Sequence, residues 1–162
     1  MVPATGYNKG EINVPEALHR LQSYVNEFPR LYEKFTPKEL LDKQVAGKWS
    51  KHEILGHLID SAINNLRRFT EIQFLPQPYA IIPYQQDELV IVNNYQYLPT
   101  EHLIQLWKSL NRQIIYVVED IPKEKLSLAV VPQYNNDETK TLSWIIVDYV
   151  AHLEHHMKQI FS

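Results

Sequence analysis

Seven histidines and no cysteine delimit the chemistry open to this 162-residue chain. His152 and His156 stand four residues apart in Asp148-Tyr149-Val150-Ala151-His152-Leu153-Glu154-His155-His156. In a helix that spacing puts both imidazoles on one face, a turn apart. His57 lies in a separate stretch, Trp49-Ser50-Lys51-His52-Glu53-Ile54-Leu55-Gly56-His57-Leu58-Ile59-Asp60-Ser61. The pair plus one imidazole from another helix can hold a divalent metal and leave coordination positions open, the arrangement of a catalytic rather than a structural ion. Without cysteine there is no disulfide, thiolate zinc site, Fe–S cluster or thiol nucleophile. A thiol that takes part must arrive as a substrate. Spacing alone leaves a second reading open, in which the histidines are hydrogen-bonded structural residues of the core.

Four helical segments must position these side chains. The first runs from about Pro15 to Phe35, with Leu18, Leu21, Val25, Phe28 and Leu31 near helical spacing, and Pro29 either kinks it or ends it early. The second opens at Ser50, an N-cap whose partner Glu53 completes a capping box, and continues to about Phe74. Thr100 is the expected N-cap of the third, which reaches about Glu119, and the fourth begins near Thr141 or Ser143 and ends with the chain. Between the second and third, the segment from Leu75 to Leu98 is long and holds Pro76, Pro78, Pro83 and several tyrosines, which suggests a packed lid. A small hairpin is expected before the fourth helix, from strand-like Leu126 to Val131, the turn signal Asn135-Asn136-Asp137 and Thr139 to Thr141. The expected fold is therefore all-α, a four-helix bundle forming one domain over residues 1–162.

Helical-wheel placement gives the histidines directions. In the fourth segment Ile145, Tyr149, Leu153 and Ile160 form the apolar face, Glu154 and Lys158 the solvent face, and His152 and His156 fall on the apolar side. Two imidazoles in a core stripe cost free energy unless they find partners, and a metal satisfies both. In the second segment Ile54, Leu55, Leu58, Ala62, Leu66 and Phe69 define the core. His57 sits at its border, in a stripe with Glu53, Ser61, Asn64 and Arg68 that can wall a pocket. Asp60, one turn from His57, can orient a ligand from behind. His19, His52 and His102 read as exposed or edge residues. His52-Glu53-Ile54-Leu55-Gly56-His57 has one residue too many for the H-E-x-x-H zinc motif.

Composition narrows the partners. The chain is 44% apolar and 22% charged with a net charge of −3, and no Lys/Arg cluster stands out, so nucleic acid is a poor partner. No apolar run approaches a membrane span, and Met1-Val2-Pro3-Ala4-Thr5-Gly6 is not a signal peptide, so a cytoplasmic location is expected. Gly is scarce and no serine sits in a nucleophile elbow, which removes phosphate-loop and esterase readings.

Trp49-Ser50 leading into Gly56-His57-Leu58-Ile59-Asp60-Ser61, with Arg67-Arg68 following, resembles the second helix of the DinB/YfiT-like superfamily. His152-Leu153-Glu154-His155-His156-Met157-Lys158-Gln159-Ile160 is similar to its C-terminal H-x-x-H-H-x-x-Q-I signature. The resemblance covers nearly the whole chain and is closest to the YfiT-type branch. It implies one divalent metal (Zn, Ni, Fe or Mn) held by His57, His152 and His156, with His155 only a neighbour. It also implies a homodimer acting on a small-molecule substrate. Two chemistries follow from it: transfer of a low-molecular-weight thiol cosubstrate to an electrophile, or metal-assisted hydrolysis. Asp60 and Glu53 are the candidate bases, and Asn64, Arg68 and Tyr84 the candidate substrate contacts. The loop Tyr84-Gln85-Gln86-Asp87-Glu88-Leu89-Val90 departs from the YfiT branch by having no tryptophan nearby, which leaves substrate specificity open. The alternative from another class is a non-catalytic metal- or small-molecule-binding module with a stress-related role.

Overall fold

The computed structural model describes residues 13–45, 47–133 and 138–162. The Asn135-Asn136-Asp137 turn and the Met1 to Gly6 stretch lie outside the described residues. Four long helices dominate: α1 (Val14–Tyr32), α3 (Lys51–Glu71), α5 (Thr100–Glu119) and α6 (Leu142–Phe161). Short helices α2 (Pro37–Leu41) and α4 (Gln86–Val92) fill two connections, and strands β1 (Tyr79–Ile81), β2 (Ala129–Pro132) and β3 (Lys140–Thr141) complete the order. The all-α four-helix bundle expected from periodicity is the observed fold.

The helix ends follow local chemistry. The Ser50 side chain accepts from the Glu53 backbone N–H while Glu53 reaches back to the Ser50 N–H, the reciprocal box that starts α3. Asn13 and Thr141 cap α1 and α6 in the same one-sided way. Thr100 is not the N-cap expected of it. Pro99 holds that position, and the Thr100 hydroxyl instead lies 2.9 Å from His52 Nε2. His52 is thereby a buried strut between α3 and α5 rather than an edge residue, and burial holds its pKa below the ordinary value. Pro29 lies inside α1, which continues to Tyr32.

Both α1 and α3 pack on α5 and α6, so the two consecutive long helices α1 and α3 lie diagonally across the core. Leu21, Val25 and Phe28 of α1 meet Leu55, Leu58 and Ile59 of α3, Leu103 and Trp107 of α5, and Leu153 and Ile160 of α6 in one buried cluster. Each such side chain contributes about 1.5–3 kcal/mol on burial. The Lys51 ammonium at the start of α3 donates to the Ile160 carbonyl at the end of α6, so these helices run antiparallel. That pairing levels His57 with His152 and His156.

The long second connection is more ordered than a lid of irregular chain. Its β1 strand pairs in parallel with β2, which pairs antiparallel with β3, giving a three-stranded sheet. The β2–β3 part matches the expected hairpin; β1 does not follow from a proline-bounded Tyr79-Ala80-Ile81, whose three residues carry no alternation to read. Beyond α4 a 3₁₀ turn, Tyr95–Tyr97, lays the Tyr95 ring across α3 at Gly56.

Candidate metal centre

Three ring nitrogens converge between α3 and α6. His57 Nε2 lies 3.1 Å from His152 Nε2, and His156 Nε2 lies 3.1 Å from the same atom. The three ligand atoms all fall within 4.8 Å of one another. His57, placed at the border of its helix by the wheel, is fully buried, because the antiparallel α6 closes over that stripe. The Trp49 ring lies 4.8 Å from His57 and 6.4 Å from His156 and walls one side.

Each imidazole is held neutral. Burial, then the neighbouring His156, pushes His57 down to about 3. Burial likewise takes His152 well below the ordinary histidine range and His156 to about 4, the latter opposed by its hydrogen bond with Gln159. Neutral imidazole is the form that ligates a metal.

Hydrogen-bond arithmetic tests whether the residues fit an ion. His156 Nδ1 lies 2.7 Å from Gln159 Oε1, which accepts its proton, while the Gln159 amide donates to His155 Nε2 at 3.0 Å. His156 Nε2 is then a bare lone pair aimed at His152 Nε2. That atom holds at most one proton and faces two nitrogens, so it cannot make a full hydrogen bond as donor to both. A cation at the shared focus removes the conflict. Nitrogens about 2.0–2.1 Å from one ion stand roughly 3 Å apart; two of the three pairs here are 3.1 Å apart and the third lies within 4.8 Å. The donor set fits a divalent ion.

The other residues singled out from sequence divide in two. Tyr84 lines, with His152 and His156, an open cleft of about 790 Å³. Burial pushes the pKa of its phenol up. Arg68 donates to the Ile82 carbonyl at 3.1 Å and lies 5.8 Å over the Tyr84 ring, so it braces the loop that delivers the tyrosine. Asn64 donates to the Asp60 carbonyl of its own helix. Glu53 accepts from the Ser50 N–H at 2.9 Å and pairs with Lys43 at 2.8 Å, which occupies both carboxylate oxygens. Asp60 turns from the cleft: its Oδ1 accepts from the Tyr95 hydroxyl at 2.7 Å and from Asn93 at 3.1 Å, and its buried Oδ2 has no hydrogen-bond partner. Ser61, expected only as part of the polar stripe beside His57, and Gln159, given no role by the sequence, both touch the imidazoles. The signal was their position, one turn after His57 and just under a turn after His156.

A family model of the DinB superfamily matches residues 17–160. The chain belongs to the DinB superfamily. Among its relatives, a "putative metal-dependent hydrolase" of Oceanobacillus iheyensis is 22% identical over 165 residues, covering 93% of this chain and 90% of that protein. The fold is shared with YfiT from Bacillus subtilis, described as a "probable metal-dependent hydrolase with an unusual four-helix bundle topology". The TM-score is 0.82 at 19% identity, over 91% of this chain and 83% of the other. The mycothiol-dependent maleylpyruvate isomerase also superposes, with a TM-score of 0.66 and 14% identity, and this chain spans 60% of its length. Among the described residues of this DinB protein, no helix is long and apolar enough to cross a membrane.

The Asp60 environment makes a separate prediction for this DinB protein. Burial raises the Asp60 pKa, and the bonds from Tyr95 and Asn93 only partly oppose it. A carboxyl with a raised folded-state pKa favours folding below its unfolded value, and that contribution is lost as pH rises through the folded value. Asp60→Asn keeps an acceptor for both donors and removes the buried charge. Urea unfolding should find the variant gaining stability relative to wild type as pH rises from about 4 to 8. A constant difference across that range contradicts the assignment.

Proposed function

We propose that this DinB protein is a metal-dependent enzyme that binds one Zn²⁺, Ni²⁺, Fe²⁺ or Mn²⁺ ion through His57, His152 and His156. On this reading it acts on a small molecule, by transfer of a low-molecular-weight thiol to an electrophile or by hydrolysis. Convergence of three neutral Nε2 atoms, two of them on histidines that line an open cleft, carries the reading. The descriptions of its relatives, metal-dependent hydrolase and thiol-dependent isomerase, support it. Cytoplasmic residence and a homodimeric assembly complete it.

The bound ion supplies Lewis acidity, which lowers the pKa of a thiol or water and polarises an electrophile. The chain supplies the rest. Its three imidazoles come from two rigid helices, so the donor triangle is set before substrate arrives. Gln159 fixes the tautomer of His156 by accepting its Nδ1 proton. Trp49 packs against His57 and forms a wall of the cleft. Tyr84 presents a phenol to the cleft, and Arg68 secures the segment that bears it. Glu53 fastens the start of α3, and Asp60 anchors the Asn93–Tyr95 segment.

The test is turnover. Metal-loaded protein is incubated with a panel of low-molecular-weight thiols and electrophiles, and with esters and amides, and products are read by mass spectrometry. A product that requires both the ion and intact His152 is expected. Metal uptake with no product from any pairing would leave a binding module in place of an enzyme.

A further inference from the structure

His155, a neighbour of the ligands in the chain, shares an amide partner with one of them. Gln159 follows His155 by four residues and His156 by three on α6, the two spacings at which helical side chains meet. Its Oε1 lies 2.7 Å from His156 Nδ1, and its Nε2 lies 3.0 Å from His155 Nε2. The His155 ring stands edge-on to His156 with centroids 5.1 Å apart, and all three side chains line the cleft.

An amide has one accepting end and one donating end. Held between two neutral imidazoles, it requires one facing nitrogen to carry a proton and the other to be bare. With Oε1 at His156, the proton sits on His156 Nδ1 and the lone pair on its Nε2 is kept for an ion. His155 Nε2 is then the bare nitrogen and accepts from the Gln159 amide. Turned over, the same amide would donate to His156 Nδ1 and leave the His156 proton on Nε2, the atom that faces His152 Nε2 at 3.1 Å. Gln159 is exposed, so its amide turns readily unless each end has its own partner. His155 supplies the second partner. Both rings stay neutral in either arrangement, and only the place of a proton differs.

We propose that His155 is a positioning residue that, through the Gln159 amide, holds His156 in the tautomer presenting its Nε2 lone pair to the metal. This inference rests on the three-histidine metal reading. It extends the site to a fourth histidine that ligates nothing and whose effect passes through an amide.

Imidazole-nitrogen NMR of the metal-free protein and Zn²⁺ affinity by competition titration test this, both at about pH 8, where an ordinary histidine is neutral. The variants are His155→Phe, which keeps a ring beside His156 but no nitrogen, Gln159→Leu, Gln159→Glu, and His155→Phe combined with Gln159→Glu. In wild type the spectra should find His156 protonated on Nδ1 and His155 bare on Nε2. His155→Phe should populate the Nε2-protonated tautomer of His156 and bind Zn²⁺ about threefold more weakly, as the competent fraction falls. Gln159→Leu should bind it about tenfold more weakly, the usual cost of losing a group behind a ligand. A carboxylate accepts at both ends, so Gln159→Glu needs no partner to orient it. There His156 should keep its Nδ1 proton, His155 should move its own to Nε2, and Zn²⁺ should bind at least as tightly as in wild type. In that background His155→Phe should cost nothing. The same loss from His155→Phe in both backgrounds, or a His156 tautomer that His155→Phe leaves unchanged, would overturn the relay and leave the metal reading standing. A wild-type protein that takes up no Zn²⁺ would overturn both.

Discussion

His152→Ala should weaken divalent-metal binding by at least about a hundredfold, with His57→Ala and His156→Ala close behind. Structural zinc sites gain about 10–16 kcal/mol from four ligands, roughly 3 kcal/mol for each. His152 ranks first because its Nε2 is the atom that both other nitrogens approach at 3.1 Å. The loss also appears in stability. Zn²⁺ at a hundred times its Kd stabilises the folded state by about 2.7 kcal/mol, which for a chain of this size raises Tm by roughly 5–10 °C. That increment should vanish in His152→Ala. The metal-free protein gives the sharper contrast. His57 is fully buried, its Nδ1 has no hydrogen-bond partner, and burial strongly disfavours its charged form. His57→Leu should therefore leave the metal-free protein as stable as wild type or more so. A structural histidine would behave oppositely, costing stability on replacement whatever the metal content.

Gly56→Ala should destabilise the fold by about 2–4 kcal/mol even though alanine is the better helix former. The propensity gain is about 1 kcal/mol. Against it, a Cβ at Gly56 would overlap the Cβ, Cγ and Cδ2 of Tyr95. These are the root of the side chain rather than a flexible end, so the whole turn must move away from α3. Moving it exposes a buried ring and takes the Tyr95 hydroxyl from Asp60, leaving a buried carboxylate short of a donor. The urea midpoint should fall, and Tyr95→Ala should absorb most of the Gly56→Ala penalty in a double-mutant cycle. A rise in midpoint would show that the ring does not occupy this notch.

The helices were legible because periodicity and caps are local. The expected end of α5 near Glu119 is the observed one, its start differs by a single residue because Pro99 and not Thr100 is the N-cap, and the Ser50–Glu53 box marks the start of α3 in the letters themselves. The direction of His152 and His156 was legible for the same reason. Which helices are neighbours was not, since the diagonal placement of α1 and α3 and the antiparallel run of α3 and α6 come from long-range packing. That packing turned His57 from a border residue into a fully buried one, and His52 from an edge residue into a strut. Asp60 lost its expected direction to Tyr95, 35 residues away, through a contact that Gly56 alone permits and that no local pattern encodes. Ser61 and Gln159 stood at helical spacing from the histidines, and only the geometry gives that spacing a partner.

Metal content and ligation of the protein purified without a histidine tag test the central claim most directly. After incubation with Zn²⁺, Ni²⁺, Fe²⁺ or Mn²⁺ and removal of loose ions, one ion per chain is expected. X-ray absorption should show imidazole nitrogens in its first shell, about 2.0–2.1 Å away for zinc. The ion should be absent when His57, His152 and His156 are all alanine. A wild-type chain that emerges metal-free from all four, or a triple variant that keeps the same ion, would contradict the account.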